Sequence, residues 1–406
     1  MSITEQIAEY VREGESSRHT LGVEVEHFVL DRDNRPVPFE TISNLIQTIG
    51  EEYHWPLDIV DGHVIGLKAD LYAISLEPAC QLEISIDPFE SIDEIRDAYR
   101  QFVGLWSPRL DLLGYRLVNH GQHPDVESGL CDPDVYPLIE KKRYEYMDQY
   151  LRERGNYGRY MMRASASTQV SIDFSSEADL RKKLAVATLL APILALDMEN
   201  STAEHVFSRE KSHLLRLQEW QDLDPDRTGF IPGSLSSSFG YLGYAEELYH
   251  RPLLVLTHDG VTENAGSLSL FDYTDPEGKA FRRELLDENG QISQKLIEHT
   301  ISMFFFHIRV KRFLEIRVAD CVPENRVLRF AALIKGIFYH EENLDKLTEE
   351  LGTVTQTQQV DRAFEEIFRE GRNAVIYNDR TAAEWIGYIT DLAAEGLSEE
   401  ERKYLI

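Results

Sequence analysis

Glutamates on alternate residues recur in three short segments of this chain. Glu24 and Glu26 lie in L-G-V-E-V-E-H-F (21–28), Glu77 and Glu83 in L-E-P-A-C-Q-L-E-I-S (76–85), and Glu315, with Arg317, in F-L-E-I-R-V-A-D (313–320). On a β-strand, side chains two positions apart leave the same face about 6–7 Å from each other. Carboxylates gathered on one face raise each other's pKa unless something neutralises them. A hard divalent cation does so best, and Mg²⁺ carrying phosphates is the usual case.

Positioning such groups takes strands. The patterning predicts them over 21–31, 64–76, 81–87, 161–173, 252–257 and 307–319. Helices are expected over 40–53, 91–113, 136–154, 176–199, 203–220 and 292–305, with an amphipathic polar helix in 1–15. Ser91 followed by Glu94 is a capping-box pattern opening the second of these. In 161–173 one face collects Arg163, Ser165, Ser167, Gln169, Ser171 and Asp173; in 76–87 one face collects Glu77, Gln81, Glu83, Ser85 and Asp87. Half-buried strands with one solvated face would give the same alternation. Short Ser and Gln side chains beside clustered Glu look more like a concave sheet face lining a polar site, and the pattern alone leaves both readings open. Strands and helices alternate from about 20 to 340, and 341–406 is acidic with helical patterning. The expected organisation is one domain over 1–340 with a helical appendage, 341–406, packed on it.

Bulk composition narrows the partners. The chain has 406 residues, 42% hydrophobic and 28% charged, with a formal net charge of −29. Such a charge disfavours nucleic-acid backbones and anionic membrane surfaces. An anionic substrate would need metal ions and a local basic cluster. Cys80, Cys131 and Cys321 are too few for a disulfide framework and lack metal-site spacing, so a reducing cytoplasm is expected. Nothing in residues 1–15 reads as a signal peptide, and no apolar run approaches the roughly 20 residues of a membrane span.

Taken together, the motifs resemble the plant and proteobacterial type of glutamate–cysteine ligase. Its G-x-E-x-E-x-F is matched by Gly22, Glu24, Glu26 and Phe28, and its L-E-P-G-G-Q-x-E-L-S by residues 76–85. Q-V-S-I-D-F-S-S-E (169–177), Arg216 with Trp220, Asp226-Arg227-Thr228-Gly229 and K-R-F-L-E-I-R-V-A-D (311–320) continue the match in order. K-K-R-Y (141–144) is a weaker match to a family K-G-R-Y. The resemblance implies an α+β, glutamine-synthetase-like fold: a curved antiparallel sheet forming a funnel flanked by helices. It also implies ATP-dependent ligation of the glutamate γ-carboxylate to the amine of cysteine through a γ-glutamyl phosphate, the first step of glutathione-type thiol synthesis. ATP and Mg²⁺ are the implied cofactors, glutamate and cysteine the implied substrates. By position, the resemblance makes Glu24, Glu26, Glu77, Glu83 and Glu315 metal-binding carboxylates. Glu315 and Arg317 become catalytic, Arg216 and Arg227 glutamate-binding, and Gln169 and Lys311 nucleotide-binding.

The departures bear on the acceptor. Cys80 stands where plant relatives have Gly, Ser171 where they have Asn, and Cys321-Val322 where they have Gly-Gly. S-A-S-T (165–168) is closer to the mycobacterial-type branch serving ergothioneine synthesis. Two alternatives therefore stand beside cysteine ligation: a γ-glutamyl ligase with a different amine acceptor, in a thiol or natural-product pathway, and a non-catalytic relative that binds glutamate or nucleotide. Oligomeric state is left open by the sequence.

Overall fold

Apolar and acidic residues alternate through Leu21–Leu30, and that alternation is what makes β1 a strand with two unlike faces. Leu21, Val23 and Val25 are fully buried on one face, and Glu24 and Glu26 stand on the other. The computed structural model describes every residue except 61, 128–131, 140, 202–211, 259–260, 276–277, 279–281 and 283–284. The strands are β1 (Leu21–Leu30), β2 (Leu57–Val60), β3 (His63–Lys68), β4 (Tyr72–Leu76), β5 (Leu82–Phe89), β6 (Arg116–Val118), β7 (Ser167–Ile172), β8 (Leu254–His258), β9 (Val261–Gly266), β10 (Ile308–Val310) and β11 (Leu314–Asp320). The helices are α1 (Ile3–Arg12), α2 (Phe39–Tyr53), α3 (Ile92–Leu112), α4 (Pro124–Glu127), α5 (Lys142–Arg152), α6 (Gly158–Ala164), α7 (Glu177–Asp197), α8 (Leu215–Gln221), α9 (Tyr241–His250), α10 (Gln294–Ser302), α11 (Glu324–Phe338), α12 (Glu341–Glu350), α13 (Thr357–Glu370) and α14 (Ala382–Gly396).

Nine strands form one sheet in the order β10-β11-β7-β1-β5-β4-β3-β2, with β6 pairing the end of β1. Every pairing in it is antiparallel. Strands β8 and β9 make a separate hairpin. Helices α3, α7 and α11 pack against strands of the large sheet, and its apolar face, with Val23, Ile84, Val170 and Ile316, belongs to the main core. This is the α+β class expected: an antiparallel sheet flanked by helices.

Some elements differ from the sequence expectation. The strand expected over 161–173 is helix α6 followed by β7. Arg163 is the reason: its guanidinium clasps Asp148 of α5 and its Nε donates to the Tyr136 carbonyl, pinning the helical turn. The single strands expected over 64–76 and 307–319 are hairpins, folded where Ala69 N–H meets the Tyr72 carbonyl and Lys311 N–H meets the Phe313 carbonyl. The helix expected over 136–154 begins only at Lys142. Of 203–220, only the end is seen as helix α8; 203–211 lies outside the described residues, as does Cys131.

The last helices share the main core through Leu347, Phe364 and Trp385. Helices α11 and α14 meet at backbone distance: a Cβ on Gly336 would lie 2.3 Å from the Ala393 carbonyl oxygen, and one on Gly396 2.1 Å from the Gly336 oxygen. Asn343 bridges the same crossing, donating to the carbonyls of Gly336 and Leu392 at 2.8 and 2.6 Å.

Candidate active site

Antiparallel register assembles the site in rows. Arg309, Glu315, Ser171 and Gly22 sit opposite one another across β10, β11, β7 and β1. The next row is Gln169, Glu24, Ser85 and Ala73; the next, Glu26, Glu83, Ser75 and Gly66. Small residues separate the long ones, leaving room above the sheet. A cavity of about 300 Å³ lies there. Glu24, Glu26, Glu77, Glu83, Gln169, Lys311 and Arg317 line it, as the sequence led us to expect, with Arg309, Arg143, Tyr144 and Trp220.

The glutamates are costly in their charged form. Burial, then repulsion from Glu24, Glu77 and Glu26, pushes Glu83 well above the ordinary carboxylate range. Burial and then Glu26 raise Glu77 to about 7. Glu24 is raised by burial and Glu315, and Glu26 by burial against the pull of Arg216 and Arg317. Only part of this charge finds donors. Glu26 Oε2 accepts the Ser167 N–H at 2.6 Å and Oε1 the Gln169 amide at 3.1 Å, and Glu83 accepts from Ser75 Oγ at 2.8 Å.

The chemistry of this donor set, oxygen only and anionic in a buried cleft, fits Mg²⁺. Among the described residues no three acidic, histidine or cysteine side chains already converge as a ready ligand cluster. Mg²⁺ does not require one, because it is usually held by one or two carboxylates together with phosphate oxygens and water.

Glu315 behaves differently from the other glutamates. It is fully buried and does not line the cavity. Its Oε2 accepts from Arg309 Nε at 2.6 Å and Arg317 Nη1 at 3.0 Å, and its Oε1 from Lys311 Nζ at 3.0 Å. Burial opposes its ionisation, yet Arg309, Lys311 and Arg317 hold it well below the usual range. Both oxygens thus accept from cations, and Glu315, expected as a metal ligand, here anchors a three-cation cluster on the cavity wall. Arg317 is further oriented by Gln169, whose Oε1 accepts from its Nη1.

Arg216 and Arg227, expected to bind glutamate, do not line the cavity either. Arg216 is buried; its Nε meets Asp320 at 3.1 Å and its Nη2 donates to the carbonyls of Arg317 and Ala319. Arg227 is fully buried, paired with Asp224 at 3.1 Å, bonded to the Met303 carbonyl and lying over the Tyr150 ring. Both guanidiniums brace segments that form the wall, namely β11 and the stretch running from α10 to β10. Sequence reasoning gave no site role to Arg309, Arg143, Tyr144 or Trp220. The K-K-R-Y and R-x-x-x-W motifs did carry three of them, and only the β10–β11 turn brings in Arg309. Cys80 occupies a left-handed conformation (φ 65°) in the turn between Glu77 and Gln81. That backbone favours the glycine of the relatives.

An antiparallel sheet whose polar face holds four cavity-lining glutamates beside three cations defines an α+β protein built to handle an anionic ligand. Residues 20–405 match the model of glutamate-cysteine ligase family 2, and the chain belongs to that family. It is 30% identical over 337 residues to the chloroplastic glutamate–cysteine ligase of Medicago truncatula, covering 80% of this chain and 62% of that one. Glutamate–cysteine ligase B of Oryza sativa subsp. japonica is 28% identical over 336 residues, covering 81% and 64%. The chain thus spans less than two thirds of the length of these relatives. Among solved structures, the Francisella tularensis glutamate–cysteine ligase in complex with AMP superposes with a TM-score of 0.54 at 11% identity, over 96% of this chain and 81% of that one, a likeness of fold.

Proposed function

We propose that this chain is an ATP-dependent ligase that joins the γ-carboxylate of glutamate to the amine of cysteine through a γ-glutamyl phosphate, yielding γ-glutamylcysteine, ADP and phosphate. One observation carries the reading: in a chain of this family, four half-buried glutamates and the Arg309–Lys311–Arg317 cluster line the same cavity.

A carboxylate is a poor acyl donor, and phosphorylating it is largely a matter of positioning and charge neutralisation. Glu24, Glu26, Glu77 and Glu83 would hold Mg²⁺, which when bound neutralises phosphate charge. Lys311 and Arg309 present fixed positive charge to a phosphate chain. Arg317, held by Glu315 and Gln169, is preorganised to stabilise charge developing on the transferring group. Arg216 and Arg227 keep the wall in register. The cavity half formed by Met147, Met161, Trp220 and Phe305 is apolar and excludes water from the acyl phosphate. Residues 1–340 are the catalytic domain in this reading and 341–406 a helical appendage of it. We place the enzyme in a reducing, cytoplasmic compartment, supported by free buried Cys80 and Cys321.

ADP release with Mg²⁺, ATP and glutamate, measured with cysteine and then with a panel of amines, tests the proposal. Stimulation by cysteine with γ-glutamylcysteine as product is expected. Stimulation by another amine alone would move the acceptor, and nucleotide binding without turnover would overturn the enzyme reading.

A further inference from the structure

Glu219 of α8 and Gln122 are fully buried, and the reading above uses neither. Gln122 Nε2 donates to Glu219 Oε1 at 2.7 Å. The two oxygens left over, Glu219 Oε2 and Gln122 Oε1, are both buried without a hydrogen-bond partner. Two orphan acceptors on one bonded pair of side chains point to a missing hydrogen between them. A carboxylate cannot supply it; a carboxylic acid can.

The surroundings agree with the acid. Arg216, three residues back on α8, pairs with Asp320 at 3.1 Å and not with Glu219, and its Nη2 donates to the carbonyls of Arg317 and Ala319. Asp320, on β11, is itself satisfied, its Oδ2 accepting from the Asn200 N–H and Ser201 Oγ at 2.8 and 2.9 Å. Tyr157 and Tyr160, at the start of α6, also face Glu219 and bring no positive charge. Burial, against the pull of Arg216 and the Gln122 bond and with help from Asp320, raises Glu219 well above the ordinary carboxylate range. The pair also joins two parts of the cavity wall. Gln122 bridges to Ser165, and the Gly121 carbonyl accepts the Ala166 N–H at 3.0 Å. Ser165 lines the cavity, and Ser167 gives its N–H to Glu26. On the other side of the pair, Glu219 directly precedes Trp220, which lines the cavity too.

We propose that Glu219 is held as a carboxylic acid, closed with Gln122 into a ring of two hydrogen bonds, and that this neutral ring positions α8 against the segment entering β7. Glu219 Oε2–H donates to Gln122 Oε1, and Gln122 Nε2–H donates to Glu219 Oε1 in return. Ionised, Glu219 would leave both remaining oxygens bare in the interior. The ring lies outside the reacting atoms. Its effect on turnover rests on the ligase reading; the protonation state does not.

The test compares the full chain with Glu219→Gln, Glu219→Ala and Gln122→Leu. The amide in Glu219→Gln keeps the ring, its N–H replacing the acid O–H. Infrared spectra at about pH 7 should show a protonated-acid carbonyl band in the native chain that Glu219→Gln lacks. Urea titrations read the linkage. The folded chain keeps a proton that the unfolded chain releases above about pH 4.3, so stability is lost as the pH rises. The folding constant of the native chain relative to Glu219→Gln should fall by up to about tenfold per pH unit from about pH 5 upward, levelling where Glu219 ionises. Turnover of Glu219→Gln should stay within about twofold of native, while Glu219→Ala and Gln122→Leu, which open the ring, should lose about tenfold or more. No acid band lost, with Glu219→Gln weaker than native by the same factor at every pH, would mean an ionised Glu219 and overturn the proposal. Equal turnover in Glu219→Gln and Glu219→Ala, whether kept or lost, would overturn the positioning role. Should Glu219→Ala fail to fold, Gln122→Leu decides that role by the same comparison. Should the native chain show no turnover, the ligase reading fails, and the infrared band and the urea titrations decide this one.

Discussion

Glu315 and Glu83 sit on one sheet face with opposite electrostatic situations, and they should respond oppositely to the same change. Glu315 neutralises Arg309, Lys311 and Arg317 at full burial. Removing its charge leaves three cations uncompensated, and breaking a buried pair costs about 3–5 kcal/mol. Glu315→Gln should therefore lower the melting temperature and abolish most of the proposed ligase turnover together, because Arg317 loses its anchor. Glu83, by contrast, is pushed well above its ordinary range by burial and by Glu24, Glu77 and Glu26. Glu83→Gln should relieve that repulsion. In chelator-treated protein we expect a melting temperature higher by about 2 °C or more, yet with turnover reduced and with less stabilisation by added Mg²⁺. A Glu83→Gln protein that melts lower without Mg²⁺ would contradict the picture of a strained acidic wall.

At the scale of elements, the cavity depends on tight backbone approaches far from it. Helix α11 carries apolar side chains against the sheet, and its other side meets α14 through Gly336 and Gly396. A methyl at residue 336 would meet the Ala393 carbonyl at 2.3 Å, backbone that cannot simply rotate away. Overpacking of this kind costs about 1–3 kcal/mol. Gly336→Ala should thus reduce the unfolding free energy by that amount in a urea titration. The KM values should stay near native, since the crossing lies on the side of α11 away from the glutamate wall. A neutral result would mean that the two helices can part without loss. The β10–β11 hairpin has the complementary role: its turn brings Arg309 and Lys311 back over Glu315, which one straight strand would have spread along its length.

For the whole molecule, acid sensitivity follows from histidines kept neutral in the interior. Burial lowers His307 to about 3 and His27 to about 4, and His123 and His299 to about 4 as well. Their folded values lie below the unfolded value, so the unfolded chain binds more protons between them. The stability they contribute is present above about pH 6.5 and is lost as the pH falls toward 3–4. The glutamates of the cavity act in the opposite sense: Glu77, raised to about 7, costs stability as the pH rises through that value. A difference measurement separates the two. His307 lies between Phe230 and Phe364, with ring centroids at 5.1 and 5.5 Å, and its Nε2 has no partner. His307→Phe should pack there and flatten the fall in stability between pH 6.5 and 4 relative to the native chain. Parallel pH profiles for the two proteins would rule this out.

The family resemblance carried by the ordered motifs implied the α+β class and gathered Glu24, Glu26, Glu77, Glu83, Gln169, Lys311 and Arg317 at one site, and periodicity placed the acidic strands. This works because a strand's two-residue period ties each side chain to a face whatever its partner strand is. What the chain's own pattern could not carry was how its charges pair. Glu315, Arg216 and Arg227 read like ligand-binding groups. The fold gives Glu315 three cations, Arg216 the carboxylate of Asp320 and Arg227 that of Asp224. Arg143 and Trp220, one in a weak motif and one named only as a motif's end, are the groups left with unpaired donors in the cavity. Sequence sets which groups are present and which face they take. Only the tertiary structure decides which charges are neutralised internally, because ion pairing and burial depend on contacts between segments that lie far apart in the chain.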